Sequence, residues 1–325
     1  MRTGGRRLPA IVALMAVVAV IGSGGPSASA KQGHDGPYAI GMRSYTFVDK
    51  SRPTAPNGTY PGAPSRKLPT LLLYPAKGKA GGAAVENARP IATRRGFPLV
   101  VFSHGFGANG PVYKPLLEQF VRNGYVVAAP TFPLSSAGAL GGPKLGDYVN
   151  QPGDVSYVIT RVLRLRHKHR GLAKTISRHH IGVGGHSLGA ITTFGVATNS
   201  CCLDRRIDAA VPISGILLPY PNGTFFSKPT QPLLVIHGDQ DRTVPYSASA
   251  NAYNQAPAPK AFLTLEQAPH TPFLPPWLDP TVRTTTDFLD GYLKDDRKAL
   301  KRLGKDGNVA GVASLQQDLS RRAKK

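Results

Sequence analysis

Acidic residues and cysteines are the two classes this chain holds sparingly. Eighteen Asp and Glu stand against 40 Lys and Arg, a formal net charge of +22. Such an imbalance implies attraction to anionic surfaces, whether phospholipid, cell-wall polymer or nucleic acid. The basic residues concentrate between Arg161 and Arg170 and from Lys294 to Lys325. Neither stretch interleaves aromatics in a base-stacking pattern. A solvated helix face and a solvated tail are expected, with electrostatic attachment to an anionic cell surface and no specific nucleic-acid partner. The only cysteines, Cys201 and Cys202, are neighbours. That excludes a disulfide framework and leaves the fold to its apolar core. A bond between adjacent cysteines is uncommon; two buried thiols or pairing between chains are the alternatives.

Long apolar runs are missing beyond Ile21. The run Leu8 to Ile21 is short for a membrane span. Arg2, Arg6 and Arg7 precede it and Ala28-Ser29-Ala30 follows. This is the pattern of an export signal over residues 1–30, and it predicts a secreted or cell-surface location. Arg6-Arg7 hints at a twin-arginine route. The segment carries three Arg and no acid, so its removal leaves 295 residues with a net charge of +19. That length suffices for one large core. No cysteine is placed to carry a lipid after the signal. His167-x-His169 and His179-His180 lack acid or cysteine partners, so they read as surface residues and no metal site is expected.

Residues 31–37 read as a disordered lead and 51–66, rich in Pro, Gly and Asn, as a loop. Strands are expected at 43–48, 68–74, 99–103, 125–129, 181–184, 209–213, 233–237 and 262–265. Helical spacing marks 112–123, 154–169, the stretch from Ser187 to about 198, 246–255 and 282–293. Residues 131–152 form a long loop. Short apolar strands alternating with helices predict an α/β fold, a mostly parallel central sheet with helices on both faces. No internal repeat or second domain is evident. The organisation expected is a signal (1–30), a catalytic domain (31–293) and a basic C-terminal tail (294–325).

Ile181-Gly-Val-Gly-Gly-His-Ser187-Leu-Gly-Ala190 reads as a buried strand running into Gly-x-Ser-x-Gly and then a helix. A sharp turn there lifts the Ser187 hydroxyl above the sheet edge, and Gly185 and Gly189 leave room for the turn. A serine hydroxyl needs a base, and the base needs an acid that orients it. The chain order should be Ser, acid, His, each after a strand. His270 is the last histidine and the only one after Asp241. Asp239 and Asp241 both lie in the turn after strand 233–237. The oxyanion needs two backbone donors: Leu188 N–H, and Phe106 N–H from the loop His104-Gly-Phe-Gly-Ala-Asn-Gly110. That loop matches neither a dinucleotide-binding nor a P-loop glycine pattern.

Leu68–Ala76, Phe97–Gly107, Gly185-His-Ser-Leu-Gly189 and His237-Gly-Asp-Gln-Asp-Arg-Thr-Val-Pro245 resemble the α/β-hydrolase superfamily. The resemblance covers about residues 40–293. Within the superfamily the chain is similar to dienelactone-hydrolase-like and platelet-activating-factor-acetylhydrolase-like proteins, a neighbourhood that includes chlorophyllases and cutinase-like polyester hydrolases. Dienelactone hydrolases proper use a cysteine where this chain has Ser187. Polyester hydrolases often carry Met where it has Leu188. The resemblance implies Asp241 as the acid, from the spacing His-Gly-x-x-Asp-x-x-Val-Pro, and leaves Asp239 to cap the turn. It implies a serine hydrolase of carboxylic esters, working through an acyl-enzyme and without a cofactor. Phe106, the loop 131–152, Ile216 to Phe226 and Phe273 to Trp277 are the candidate borders of the acyl pocket. A small-molecule or lipid-like ester is the expected substrate and a monomer the expected state. The alternatives are a lipase or phospholipid acylhydrolase at anionic surfaces, and a non-catalytic surface-binding protein on a hydrolase scaffold.

Overall fold

The computed structural model describes residues 36–168 and 171–320. The expected signal, most of the lead, His169 and the last five residues lie outside them. Ten strands make one sheet: β1 (Ala39–Asp49), β2 (Arg66–Ala76), β3 (Val85–Glu86), β4 (Phe97–Ser103), β5 (Val126–Pro130), β6 (Ile176–His186), β7 (Ala209–Ile213), β8 (Leu233–Gly238), β9 (Lys260–Leu265) and β10 (Ala313–Asp318). Their order is β10-β9-β8-β7-β6-β4-β5-β2-β1-β3. The strands from β5 through β9 run parallel, whereas β2 meets β5, and β10 meets β9, antiparallel. Every residue of β4, β5, β7 and β8 is buried, as expected of strands covered on both faces.

The helices are α1 (Lys114–Arg122), α2 (Gln151–Lys168), α3 (Leu188–Thr198), α4 (Tyr246–Gln255), α5 (Leu278–Leu293) and α6 (Arg297–Asp306). Alternation along the strands sorts the core into two layers. Leu72, Leu99, Val101, Val126 and Ala128 pack with α2, α3 and α4. Leu73, Val100, Phe102, Val127 and Ala129 pack with α1, α5 and α6. The amphipathic stripe expected of α2 is present, with Val155, Val158, Ile159 and Val162 at 1% exposure or less.

Three expectations change. The segment read as a tail is built into the domain: α6 packs Ala299 and Leu303 inward, and β10 extends the sheet on β9. The sequence Ser314-Leu-Gln-Gln-Asp318 hides that strand because an edge strand exposes most of its side chains. Strand β6 begins at Ile176, five residues before the apolar run, through the exposed Arg178 and His179. Cys201 and Cys202 are joined to each other in a turn after α3, exposed and half-buried, so they are neither buried thiols nor free to pair between chains.

A buried ionic network anchors the loop that follows β5. Arg66 on β2 reaches Asp147 at 2.8 Å and Asp154 on α2 at 2.6 Å, and Arg52 reaches the same Asp154 at 2.7 Å. The sheet's order reverses between β4 and β6, because the chain leaves β4 toward β5 and returns on the other side to β6. Crevices at the carboxyl ends of strands at such a switch point are where α/β sheets bind ligands. Here those ends are Ser103-His104 and His186-Ser187.

Candidate active site

Ser187 caps the N-terminus of α3 with φ 56° and ψ −117°. A non-glycine residue rarely holds this conformation, and it costs on the order of 1–3 kcal/mol unless the surroundings fix it. The surroundings do so by backbone contact. Ser187 N–H donates to Ile213 O of β7 at 2.9 Å. A Cβ on Gly189 would lie 2.0 Å from Ser103 O, and one on Gly185 would lie 2.3 Å from Gly189 O. Both glycines are needed for the elbow to nest against the end of β4.

Asp241 and His270 meet above β8 and β9. His270 Nδ1 donates to Asp241 Oδ2 at 2.6 Å, which leaves Nε2 free. Asp241 Oδ1 accepts from Thr243 N–H at 2.8 Å and Val244 N–H at 2.9 Å. Burial disfavours the charged carboxylate, but donors from His237, His270 and Val244 outweigh it and hold Asp241 well below the usual carboxylate range. Asp239 does something else: its Oδ1 takes Gln267 N–H at 2.6 Å and so closes the turn toward His270. Among the described residues the Ser187 hydroxyl makes no hydrogen bond; such contacts often tighten only with substrate.

The loop after β4 is held from several sides. Gly105 N–H donates to Tyr113 Oη at 3.0 Å and Gly107 N–H to Ser135 O at 2.8 Å. His104 donates from Nδ1 to Gly105 O at 2.7 Å and accepts at Nε2 from Phe132 N–H at 3.0 Å. Burial pulls its pKa down to about 4, so the ring is neutral. Between those tethers, Phe106 N–H donates to no group among the described residues, and neither does Leu188 N–H at the start of α3. Two uncommitted donors thus flank the elbow, the second at the positive end of a helix.

An apolar surface adjoins the elbow. Leu188, Ile191 and Tyr220 are buried, with Phe106, Tyr148, Val149, Ile216, Leu218 and Phe225 partly buried around them. Of the expected pocket borders, Phe106, the loop before α2 and the 216–226 segment come together there. Phe273 instead packs edge-on to His186 at 5.0 Å and to Tyr113 at 5.6 Å. Trp277 ties its Nε1 to Glu266 O at 2.8 Å. A separate cleft of about 490 Å³, lined by Tyr60, Lys67, Asn109 and Phe132, contains none of Ser187, Asp241 and His270.

Three residues in the constellation escaped the sequence reading. His237 faces Asp241, His186 faces His270, and Tyr113 joins His186 to Gly105. The two histidines stand inside the quoted motifs, yet nothing in the spacing says what they touch.

A solved structure titled ferulic acid esterase, from Streptomyces cinnamoneus, superposes with a TM-score of 0.60 at 22% identity, over 79% of this chain and 91% of that one. The chain has the α/β-hydrolase fold. The family model Chlorophyllase matches residues 88–216. That stretch holds the Phe106 loop, Ser187 and Leu188 and stops before Asp241 and His270. No curated protein matches the chain significantly.

Proposed function

We propose that this α/β-hydrolase is a carboxylic-ester hydrolase with a Ser187–Asp241–His270 triad. The observation that carries the reading is the 2.6 Å bond from His270 Nδ1 to buried Asp241, which leaves Nε2 as the only nitrogen able to take a proton. The strained Ser187 turn and the chlorophyllase-like stretch around it support the same reading. Ser187 Oγ attacks the ester carbonyl while its proton passes to His270 Nε2. The carbonyl electrons move to oxygen, facing Phe106 and Leu188 N–H. Collapse of the tetrahedral adduct breaks the carbon–alkoxide bond, and His270 returns the proton to the departing alcohol. Water then repeats the cycle on the acyl-enzyme: its proton goes to His270, its oxygen to the acyl carbon, and Ser187 leaves reprotonated. Asp241 stays ionised throughout and stabilises the transient imidazolium.

The test is hydrolysis of p-nitrophenyl esters of graded acyl length by wild type and Ser187→Ala. Loss of about 10³-fold or more in kcat, with the fold intact, is the expected outcome. A wild type inert toward every ester, or a fully active variant, overturns the reading. The apolar surface around Phe106 and Ile216 and the net charge of +19 after residue 30 favour a second reading, hydrolysis at anionic lipid surfaces. Faster turnover on anionic vesicles than on soluble short-chain esters selects it. The pattern of residues 1–30 supports action outside the producing cell, and secreted protein should then begin at Lys31.

A further inference from the structure

We propose that Tyr113 and His186 form a positioning relay that sets the oxyanion loop, the nucleophile elbow and the base loop in one register. The inference rests on the triad reading and adds two residues to it. Tyr113 Oη accepts from Gly105 N–H at 3.0 Å and lies 2.9 Å from His186 Nδ1. Since its oxygen accepts from Gly105, its single proton is free to go to His186. His186 Nε2 lies 2.7 Å from His270 O, an acceptor only, so Nε2 carries the hydrogen. Every polar atom on the path therefore has one assignment. Gly105 N–H donates to Tyr113, Tyr113 to His186, and His186 to the carbonyl of His270.

The three tethered points are each one residue or less from the chemistry. Gly105 precedes Phe106, His186 precedes Ser187, and His270 carries its own carbonyl. The path joins segments 73 and 84 residues apart. Packing seals it: His186 is 4% exposed and Tyr113 6%, with Phe273 edge-on to both rings. A Cβ on Gly105 would stand 3.0 Å from Tyr113 Oη and 3.4 Å from His186 Nδ1, so the loop is seated against the pair itself.

Neutrality of His186 is part of the device. Its ring centroid is 4.7 Å from that of His270. An imidazolium there would oppose the positive charge His270 gains when it takes the serine proton. Burial first, and then the nearness of His270, pull the His186 pKa down to about 3; Asp241 and His237 are the other titratable groups that act on it. The relay thus holds the base without competing for its proton. An apolar residue at 186 would keep the electrostatics and lose the tether. A cationic one would keep a donor and penalise the transition state.

Four variants test this: Ser187→Ala, Tyr113→Phe, His186→Phe and His186→Gln, each measured for kcat, KM and melting temperature. Misplacing a base by a fraction of an ångström to an ångström costs about 10- to 100-fold in rate. Tyr113→Phe and His186→Phe should lower kcat by about that much with KM changed less than about 3-fold. His186→Gln, whose amide can reach the His270 carbonyl, should regain at least about 5-fold over His186→Phe. A role in folding alone would lower the melting temperature and active fraction of both His186 variants alike and leave no Gln rescue, which overturns the proposal. So does kcat within about 2-fold of wild type in folded Tyr113→Phe and His186→Phe. Activity surviving in Ser187→Ala brings down the triad reading instead, and is read before the others. Should His186→Phe fail to fold, ¹⁵N-histidine NMR of wild type decides. A neutral Nε2–H tautomer at pH 6 is expected; an Nδ1–H tautomer or an imidazolium refutes the relay.

Discussion

His237 Nε2 stands 3.0 Å from Asp241 Oδ2, the same oxygen that receives His270 Nδ1. One carboxylate oxygen thus takes two imidazole donors while the other takes two backbone N–H groups. The His237 ring is itself fixed, with Nδ1 at 2.6 Å from Ser249 Oγ and Nε2 also near Val244 O. Asp241 is therefore oriented by four donors, which oppose its swinging away when His270 becomes charged. A carboxylate held this way loses little energy to reorganisation during proton transfer.

The two aspartates of the turn should separate cleanly in kinetics. Asp241→Asn removes the charge that stabilises the His270 cation and disturbs its tautomer, a change of roughly 10³- to 10⁴-fold in kcat. Asp239→Asn touches only the Gln267 turn and should leave kcat within about 3-fold while lowering the melting temperature. Steady-state rates on one p-nitrophenyl ester suffice. Equal losses in both variants would mean that the acid has been misassigned.

Most of this arrangement was legible because each residue of the proposed triad lies on a turn or loop that follows a strand. Ala209–Ile213 and Tyr246–Gln255 lie where their apolar pattern places them. The elbow was legible because Gly185 and Gly189 flank the serine at the spacing that tight packing demands. What stayed hidden was everything whose partner is remote or is backbone. His186 bonds a carbonyl 84 residues away, and Tyr113 bonds an amide, so neither leaves a mark in local spacing. Strand β10 stayed hidden for the opposite reason. Edge position frees it from the apolar pattern by which buried strands are read.

Removal of Arg66 should be costly out of proportion to its distance from the elbow. Its guanidinium is 1% exposed and neutralises Asp147 and Asp154, which are also buried. Arg66→Met strands Asp147 without its cation and should cost about 3–5 kcal/mol in urea unfolding. Adding Asp147→Leu removes the stranded charge and should recover part of that loss. If the double variant is no more stable than the single, the penalty is one of packing and not of charge.

Two buried histidines should drain stability on the acid side, against the opposite pull of Asp287, whose burial raises its carboxyl pKa to about 7. His104 and His186 have folded pKa values of about 4 and about 3, against 6.5 for the free side chain. Below pH 6.5 the unfolded chain binds protons that the folded chain refuses, so stability is fully present above that value. It is lost as pH falls through the window toward 4 and 3. Asp241, also lowered, adds to the loss below its ordinary value of 3.8. Between chemical unfolding at pH 7.5 and 4.5 the two rings should contribute a difference on the order of a few kcal/mol. A His186→Gln variant should show a shallower slope. Because Asp287 pulls the other way in this window, the decisive quantity is the difference between variant and wild type: equal slopes for wild type and His186→Gln would contradict the burial of the His186 ring as a neutral base.

Gln151 makes the last prediction, because it bridges α3 to Ser135, the residue that tethers the Phe106 loop. It is fully buried; its Nε2 donates to Ser135 Oγ at 2.7 Å and its Oε1 accepts from Thr192 Oγ1 of α3 at 2.5 Å. Ser135 O in turn holds Gly107 N–H, next to the Phe106 donor. Gln151→Leu keeps the volume and severs the bridge, so the Phe106 N–H should lose its fixed relation to Ser187. A donor needed only for the oxyanion affects the transition state more than the bound ester. The expected result is kcat lowered about 10-fold with KM within about 2-fold. A boronic acid that mimics the tetrahedral adduct should bind more weakly by the factor that kcat/KM loses. Unchanged boronate affinity beside a reduced kcat would show that the bridge acts on some other step, such as acyl-enzyme breakdown or product release.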